Sequence, residues 1–263
     1  MRTVLTVLAL LLGTLLFGSM VLIAQLLGVP QRPGSIYEKA QYWWGLGLLK
    51  AAGVKVIVHG PDPLPNGAPR VFVANHVSWF DIPVLLAALP RYGFVAKREL
   101  ESVPFFGAAA RAAGVIYIDR ENRKAAFGAY EDAAGKIRAG KSVLVYPEGT
   151  RGDDYALRPF KKGPFVLAIG AGAPIVPVVI HGTIEVNRRG TFTAHAGTVH
   201  VHRLDPVPTE GLTYDDRDAL ARQVQARMSE LLEREYGVAP VLLRRGAGAV
   251  ASESEPKAER LTG

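Results

Sequence analysis

His76 and Asp81 stand five positions apart at the end of a short apolar run, Arg70-Val71-Phe72-Val73-Ala74, within the segment Asn75-His76-Val77-Ser78-Trp79-Phe80-Asp81. A neutral imidazole, with a reference pKa of about 6.5, takes a proton from an alcohol in a transition state. A carboxylate on its other ring nitrogen fixes the tautomer and steadies the imidazolium. Such a pair is a general base without a protein nucleophile, so the nucleophile it would serve is a substrate hydroxyl. A plainer role is open to the same residues: Asp81 as the N-cap of the following helix, with Pro83 in its first turn, and His76 as a polar strand-end residue. The two roles are compatible, because a capping carboxylate is also held rigidly.

A second group of polar residues follows another apolar run. Val143-Leu144-Val145 leads into Tyr146-Pro147-Glu148-Gly149-Thr150-Arg151. Gly149 permits positive φ or close approach, Thr150 offers a hydroxyl and an amide, and Arg151 presents a planar fork suited to phosphate. Glu148 would orient that arginine or bind a substrate hydroxyl, although Pro-Glu-Gly also occurs as a plain turn. Lys97 and Arg98 come just past the run 93–96, and Arg120 just past Asp119 at the end of another. Singly each is an ordinary solvated charge; their repetition after strands suggests a phosphate site.

The elements that must position these residues are short apolar strands at 54–58, 70–74, 93–96, 115–118, 142–146, 175–180 and 198–202, with helices at 82–89, 104–113, 123–139 and 165–172 between them. That alternation predicts an α/β fold, a mixed, mostly parallel sheet covered by helices, with His76 just beyond a strand's carboxyl end. Pro177 cannot donate a ladder hydrogen bond, so its strand is expected at an edge or bulged there. Thr213 to Asp216 has capping-box spacing, and Leu220, Val224, Met228, Leu231 and Leu232 then share one face of a helix that Gly237 ends. His200 and His202 share a strand face but show no third histidine or carboxylate nearby, so they are taken as surface residues, and no metal site is expected. His59, His181 and His195 have no evident partner.

Residues 3–28 carry no charge and would make roughly 39 Å of helix, enough to cross a hydrocarbon core. The run is too long for a signal peptide and lacks a small-residue cleavage site, so it reads as a retained anchor. Arg32 and Lys39 against Arg2 alone bias the downstream side to the cytoplasm. Tyr37, Trp43 and Trp44 interleave with Glu38, Lys39 and Lys50, as in an interfacial helix. Three segments follow: membrane-anchoring helices over 1–52, an α/β domain over 53–243 and a disordered tail over 244–263.

The 263 residues are 49% hydrophobic and contain no cysteine, which excludes a disulfide scaffold, thiolate catalysis and Cys-rich metal sites. A net charge of +7 favours anionic partners; the cations are scattered and no nucleic-acid module occurs, so nucleic acid is not expected. There is neither a G-x-G-x-x-G fingerprint nor a G-x-S-x-G elbow, which sets aside dinucleotide enzymes and serine hydrolases.

The ordered set NHVSWFD, GVIYIDR, YPEGTR and IVPVVI resembles the glycerolipid acyltransferase family, particularly its members that acylate 1-acyl-glycerol-3-phosphate, from about Val54 to Val207. The resemblance implies His76 and Asp81 as a general-base pair that activates an acceptor hydroxyl for direct attack on an acyl thioester, with no acyl-enzyme. It implies that Arg120, Glu148, Gly149, Thr150 and Arg151 bind the glycerol phosphate, that Lys97 joins the phosphate pocket and that Pro177 lies near the acyl-donor side. The expected partners are a lipid bilayer, lysophosphatidic acid and acyl-CoA or acyl carrier protein as co-substrate, with no cofactor. The same motifs serve relatives that acylate other lysolipids, lyso-ornithine lipid among them. Tyr146 stands where the family commonly has Phe. The resemblance implies a two-helix amino-terminal membrane element, for which entry into one leaflet and a full crossing are both open.

Overall fold

The computed structural model describes residues 1–32, 34–60, 68–89, 92–119 and 123–239. Among them, helices α1 (Arg2–Leu26) and α2 (Ile36–Ala52) precede β1 (Val54–His59), β2 (Val71–Ala74), α3 (Asp81–Ala88), β3 (Tyr92–Lys97), α4 (Phe106–Ala112), β4 (Ile116–Ile118) and α5 (Arg123–Arg138). β5 (Ser142–Val145), α6 (Gly163–Ala171), β6 (Ile175–His181), α7 (Thr183–Val186), β7 (Gly197–Arg203) and α8 (Arg217–Tyr236) complete the order. Arg120 and the tail expected over 244–263 lie outside the described residues.

The strands form one sheet in the order β1-β7-β6-β2-β5-β3-β4. Every pairing is parallel except that of β6 with β7. Both faces are covered, which is why the central strands read as unbroken apolar runs. On one face Phe72, Leu144, Val176 and Val178 pack with Leu49 and Ala52 of α2 and Val84 and Leu85 of α3. On the other, Val71, Val73, Val143 and Val179 pack with Ile137 of α5, Phe165 of α6 and Val224 and Met228 of α8. Because β2, β5, β3 and β6 run the same way, their carboxyl ends share one rim, where His76, Glu148, Lys97 and Thr183 emerge.

Pro177 overturns the edge expectation and keeps the bulge. β6 is an interior strand, between β7 and β2. Its pairing with β7 starts at Val178 opposite Arg203, whereas the next bridge joins Ile175 to Val207, a slip of one residue. The proline nitrogen sits in that slip, and its carbonyl still accepts the Leu204 amide at 3.0 Å. The missing donor therefore falls where the partner chain has already bulged away.

The amino-terminal expectation of a two-helix membrane element is met in part. α1 alone among the described residues is long and apolar enough to cross a membrane, with mean hydropathy 2.5 over its best window. Leu11, Leu12, Leu15 and Leu16 on it are 59–64% exposed, an apolar surface suited to lipid. α2 differs: Leu49 and Ala52 are buried against the sheet and α3, and Tyr37 against Val21 and Ala24 of α1 and Ala112 of α4, while Trp43 stays 52% exposed. Gly45 lets α2 close on α3, since a Cβ there would stand 3.0 Å from both the Pro83 carbonyl and Leu86. The hairpin is thereby held against the helix that carries Asp81.

Candidate active site

His76 leaves the end of β2 and Asp81 opens α3, so four residues of turn bring them face to face. His76 Nδ1 is 2.7 Å from Asp81 Oδ2. The same oxygen accepts the backbone amides of Val77 and Ser78 at 2.8 and 2.9 Å. Oδ1 accepts Thr183 Oγ1 at 2.6 Å. Four donors thus converge on one fully buried carboxylate, fixing its direction. An acceptor-only partner assigns the hydrogen to Nδ1 and leaves the Nε2 lone pair as the base. The capping expectation is corrected by the same bonds. Asp81 is the first residue of α3, following Phe80, and its carboxylate reaches back to amides that precede the helix.

The surroundings hold this corner in place. The Asn75 side chain bridges strands, donating to the Ile180 carbonyl at 2.9 Å and accepting the Ile180 amide at 2.8 Å. Ser78 Oγ donates to the Asn187 carbonyl at 2.7 Å. The His76 ring lies on Tyr146, with centroids 3.9 Å apart and planes 13° from parallel. Tyr155 accepts the Gly182 and Ile184 amides at 2.7 and 3.0 Å and donates to Glu185 at 2.7 Å, which sets the turn that delivers Thr183.

Glu148 joins the corner directly. Its Oε1 accepts the His76 amide at 3.1 Å and its Oε2 the Arg158 amide at 3.2 Å. Burial pushes its carboxyl up to about 7, against the lowering by those two donors. The Gly152 amide donates to the His76 carbonyl at 2.7 Å, tying the 146–152 loop to the base a second time. Gly149 has φ +75, with the Lys161 side chain 3.2 Å from where a Cβ would stand. So His76, Asp81 and Glu148 form one hydrogen-bonded unit with the glycine turn alongside.

The remaining expected residues are less closely joined. Thr150 is exposed on the turn. The Arg151 carbonyl accepts Arg189 Nη1 at 3.0 Å, and Arg189 also approaches Asp153 at 3.3 Å. Lys97 is exposed at the end of β3 and makes no hydrogen bond or ion pair with the His76 unit, while Arg98 faces Asp119 at 3.7 Å. Pro177 is buried, paired in register with Val73, three residues short of His76 and below the rim. Sequence reasoning missed Asn75, Thr183, Tyr155 and Arg189. Thr183 alone had a signal, as a hydroxyl two residues past the strand 175–181.

An apolar cavity of about 120 Å³ opens between α1, α2, α3 and α4, lined by Phe17, Trp44, Ile82, Leu86, Phe94 and Phe106. Ile82, the residue after Asp81 in α3, contributes to its lining. A larger cavity of about 470 Å³, lined by Arg32, Arg70 and Lys141, lies at the amino ends of β3 and β5, away from the His76 rim.

A mostly parallel sheet whose rim holds a hydrogen-bonded His-Asp pair beside a glycine turn is an arrangement suited to taking a proton from a substrate hydroxyl. The chain belongs to the Acyltransferase family, whose model matches residues 55–181. It is 39% identical over 178 residues to human 1-acyl-sn-glycerol-3-phosphate acyltransferase alpha, covering 67% of this chain and 63% of that one, so it spans a little under two thirds of that relative. It is 33% identical to the Haemophilus influenzae 1-acyl-sn-glycerol-3-phosphate acyltransferase, over 73% of this chain and 78% of that one. It is 32% identical to a lyso-ornithine lipid O-acyltransferase of Pseudomonas aeruginosa, over 80% and 84%. In fold it matches the crystal structure of the 1-acyl-sn-glycerophosphate (LPA) acyltransferase PlsC of Thermotoga maritima, with TM-score 0.69, 24% identity and coverage of 97% and 100%.

Proposed function

We propose that this protein moves a fatty acyl group from a thioester of coenzyme A or acyl carrier protein to the sn-2 hydroxyl of 1-acyl-glycerol-3-phosphate, giving phosphatidic acid. The observation that carries the reading is the His76 Nδ1 to Asp81 Oδ2 contact of 2.7 Å, made to a carboxylate already fixed by three other donors. His76 Nε2 takes the hydroxyl proton as the oxygen attacks the thioester carbonyl, and the protonated ring returns it to the departing thiolate. Glu148 positions His76 through its amide. Arg151, Lys97 and Arg120 hold the phosphate, with Gly149 and Thr150 supplying the turn, and Pro177 shapes the donor side. The apolar cavity beside Ile82 takes an acyl chain, and α1 seats the protein on the bilayer with the rim on the cytoplasmic side.

A second acceptor is favoured by one observation: the lyso-ornithine lipid relative matches over 80% of this chain, more than the 67% matched by the human protein. The test offers purified protein labelled acyl-CoA with lysophosphatidic acid, lyso-ornithine lipid or a neutral lysophospholipid, and reads the products by mass spectrometry. Labelled phosphatidic acid is expected. Product from lyso-ornithine lipid alone would move the assignment to that acceptor, and fatty acid released without any acceptor would contradict both.

A further inference from the structure

We propose that His59, His200 and His202 form a binding site for a divalent transition-metal ion of the zinc class, which clamps the edge strand β1 to β7 and to the end of α8. The parallel register of β1 with β7 sets His59 beside His202, and His200 lies two residues back on the same strand face. One ring nitrogen from each residue lies within 4.8 Å of the other two. His59 Nε2 and His200 Nδ1 are already 2.8 Å apart. Two imidazole nitrogens that close share one hydrogen, whereas a tetrahedral ion with bonds of about 2.0–2.1 Å would hold them roughly 3.3 Å apart. The pair would open by about half an ångström and the third nitrogen close by about 1.5 Å at most, a matter of ring rotation. That rotation also unstacks His59 from His202, whose centroids are 4.2 Å apart with planes 7° from parallel.

The chemistry of the donor set selects the ion. Three imidazoles suit zinc, copper and nickel, while magnesium and calcium ask for oxygen. Tyr236 Oη lies 2.6 Å from His202 Nε2 and orients that ring from the last residue of α8. The site is separate from the His76 corner: α8 packs on the sheet face opposite to the one that α3 covers.

The experiment titrates Zn²⁺ into the untagged full chain in detergent micelles by calorimetry. One saturable ion per chain is expected, with Zn²⁺ raising the melting temperature and EDTA reversing the rise. His59→Gln and His200→Gln should each weaken binding at least about tenfold while circular dichroism is unchanged. His195→Gln, at an exposed histidine outside the cluster, should bind as the parent does. No saturable binding by the parent chain, or parental affinity in both His59→Gln and His200→Gln, would reduce the cluster to a solvated stack of imidazoles and overturn the proposal.

Discussion

The two histidine regions of this sheet present the same ring to opposite surroundings. At His76 the ring nitrogen meets a carboxylate oxygen at 2.7 Å, and that oxygen is itself held by two amides. At the far side of the sheet His59 meets His200 at 2.8 Å, ring nitrogen to ring nitrogen. The first arrangement assigns one hydrogen and leaves one lone pair directed by the fold, as a base requires. The second joins two ring nitrogens through one shared hydrogen, a place that a metal cation would take instead. The two rings differ in the groups that face them, and some of those groups are remote in sequence: Thr183 holds the Asp81 that faces His76, and His200 faces His59.

The contrast can be broken from the His76 side, beginning with the charge itself. Asp81→Asn keeps the size of the group and removes the negative charge, and kcat should fall by about 10³ to 10⁴ with acceptor KM little changed, read in steady-state kinetics. A fall of less than tenfold would show that position without charge suffices. Glu148→Gln tests the second carboxyl. Its folded-state pKa of about 7 lies above the ordinary 4.5, so the native state holds this proton more tightly than the unfolded chain does. Stability from this group is full below pH 4.5 and is lost as pH rises towards 7, by at most about 3 kcal/mol. Melting curves from pH 4.5 to 7.5 should therefore fall less steeply for Glu148→Gln than for the parent; equal slopes would contradict it.

Smaller effects sharpen the account of positioning. Thr183→Val leaves Asp81 Oδ1 buried without its 2.6 Å donor and should lower kcat about tenfold, with stability down by about 1–3 kcal/mol. An acceptor KM that moved instead would assign Thr183 to substrate binding. Tyr146→Phe should change least. The Tyr146 hydroxyl is buried with no hydrogen-bond partner among the described residues, while its ring stacks on His76. Removing the hydroxyl keeps the ring, so activity should stay within about twofold and the melting temperature should hold or rise slightly.

The seven strands among the described residues were legible because each is a short run rich in β-branched, aromatic or other apolar residues, and helix α8 because its apolar face and Gly237 cap are local signals. The capping box at Thr213 and Asp216 is present as well, although it caps a short 3-10 turn, Tyr214–Asp216, ahead of α8. The pair His76 and Asp81 was legible because both partners lie within one turn. Strand order was not, and the misreadings follow from that. Pro177 allows either an edge strand or a bulge by sequence, and only the strand order decides: β6 lies between β7 and β2, with the bulge on its partner. His200 and His202 looked solitary because their third member is 141 residues from His200. Asp81 looked like a cap because nothing in its spacing says that its carboxylate turns back to Val77 and Ser78. The four-residue α7, which carries Thr183, is too short to show a helical period.

The central claim is that His76 is the base for a hydroxyl that the substrate brings. It is tested most directly by measuring acyl transfer from labelled acyl-CoA to lysophosphatidic acid with His76→Ala, alongside equilibrium binding of the lysolipid. Turnover lower by about two to four decades with lysolipid binding retained is the predicted result; near-parental turnover would contradict it.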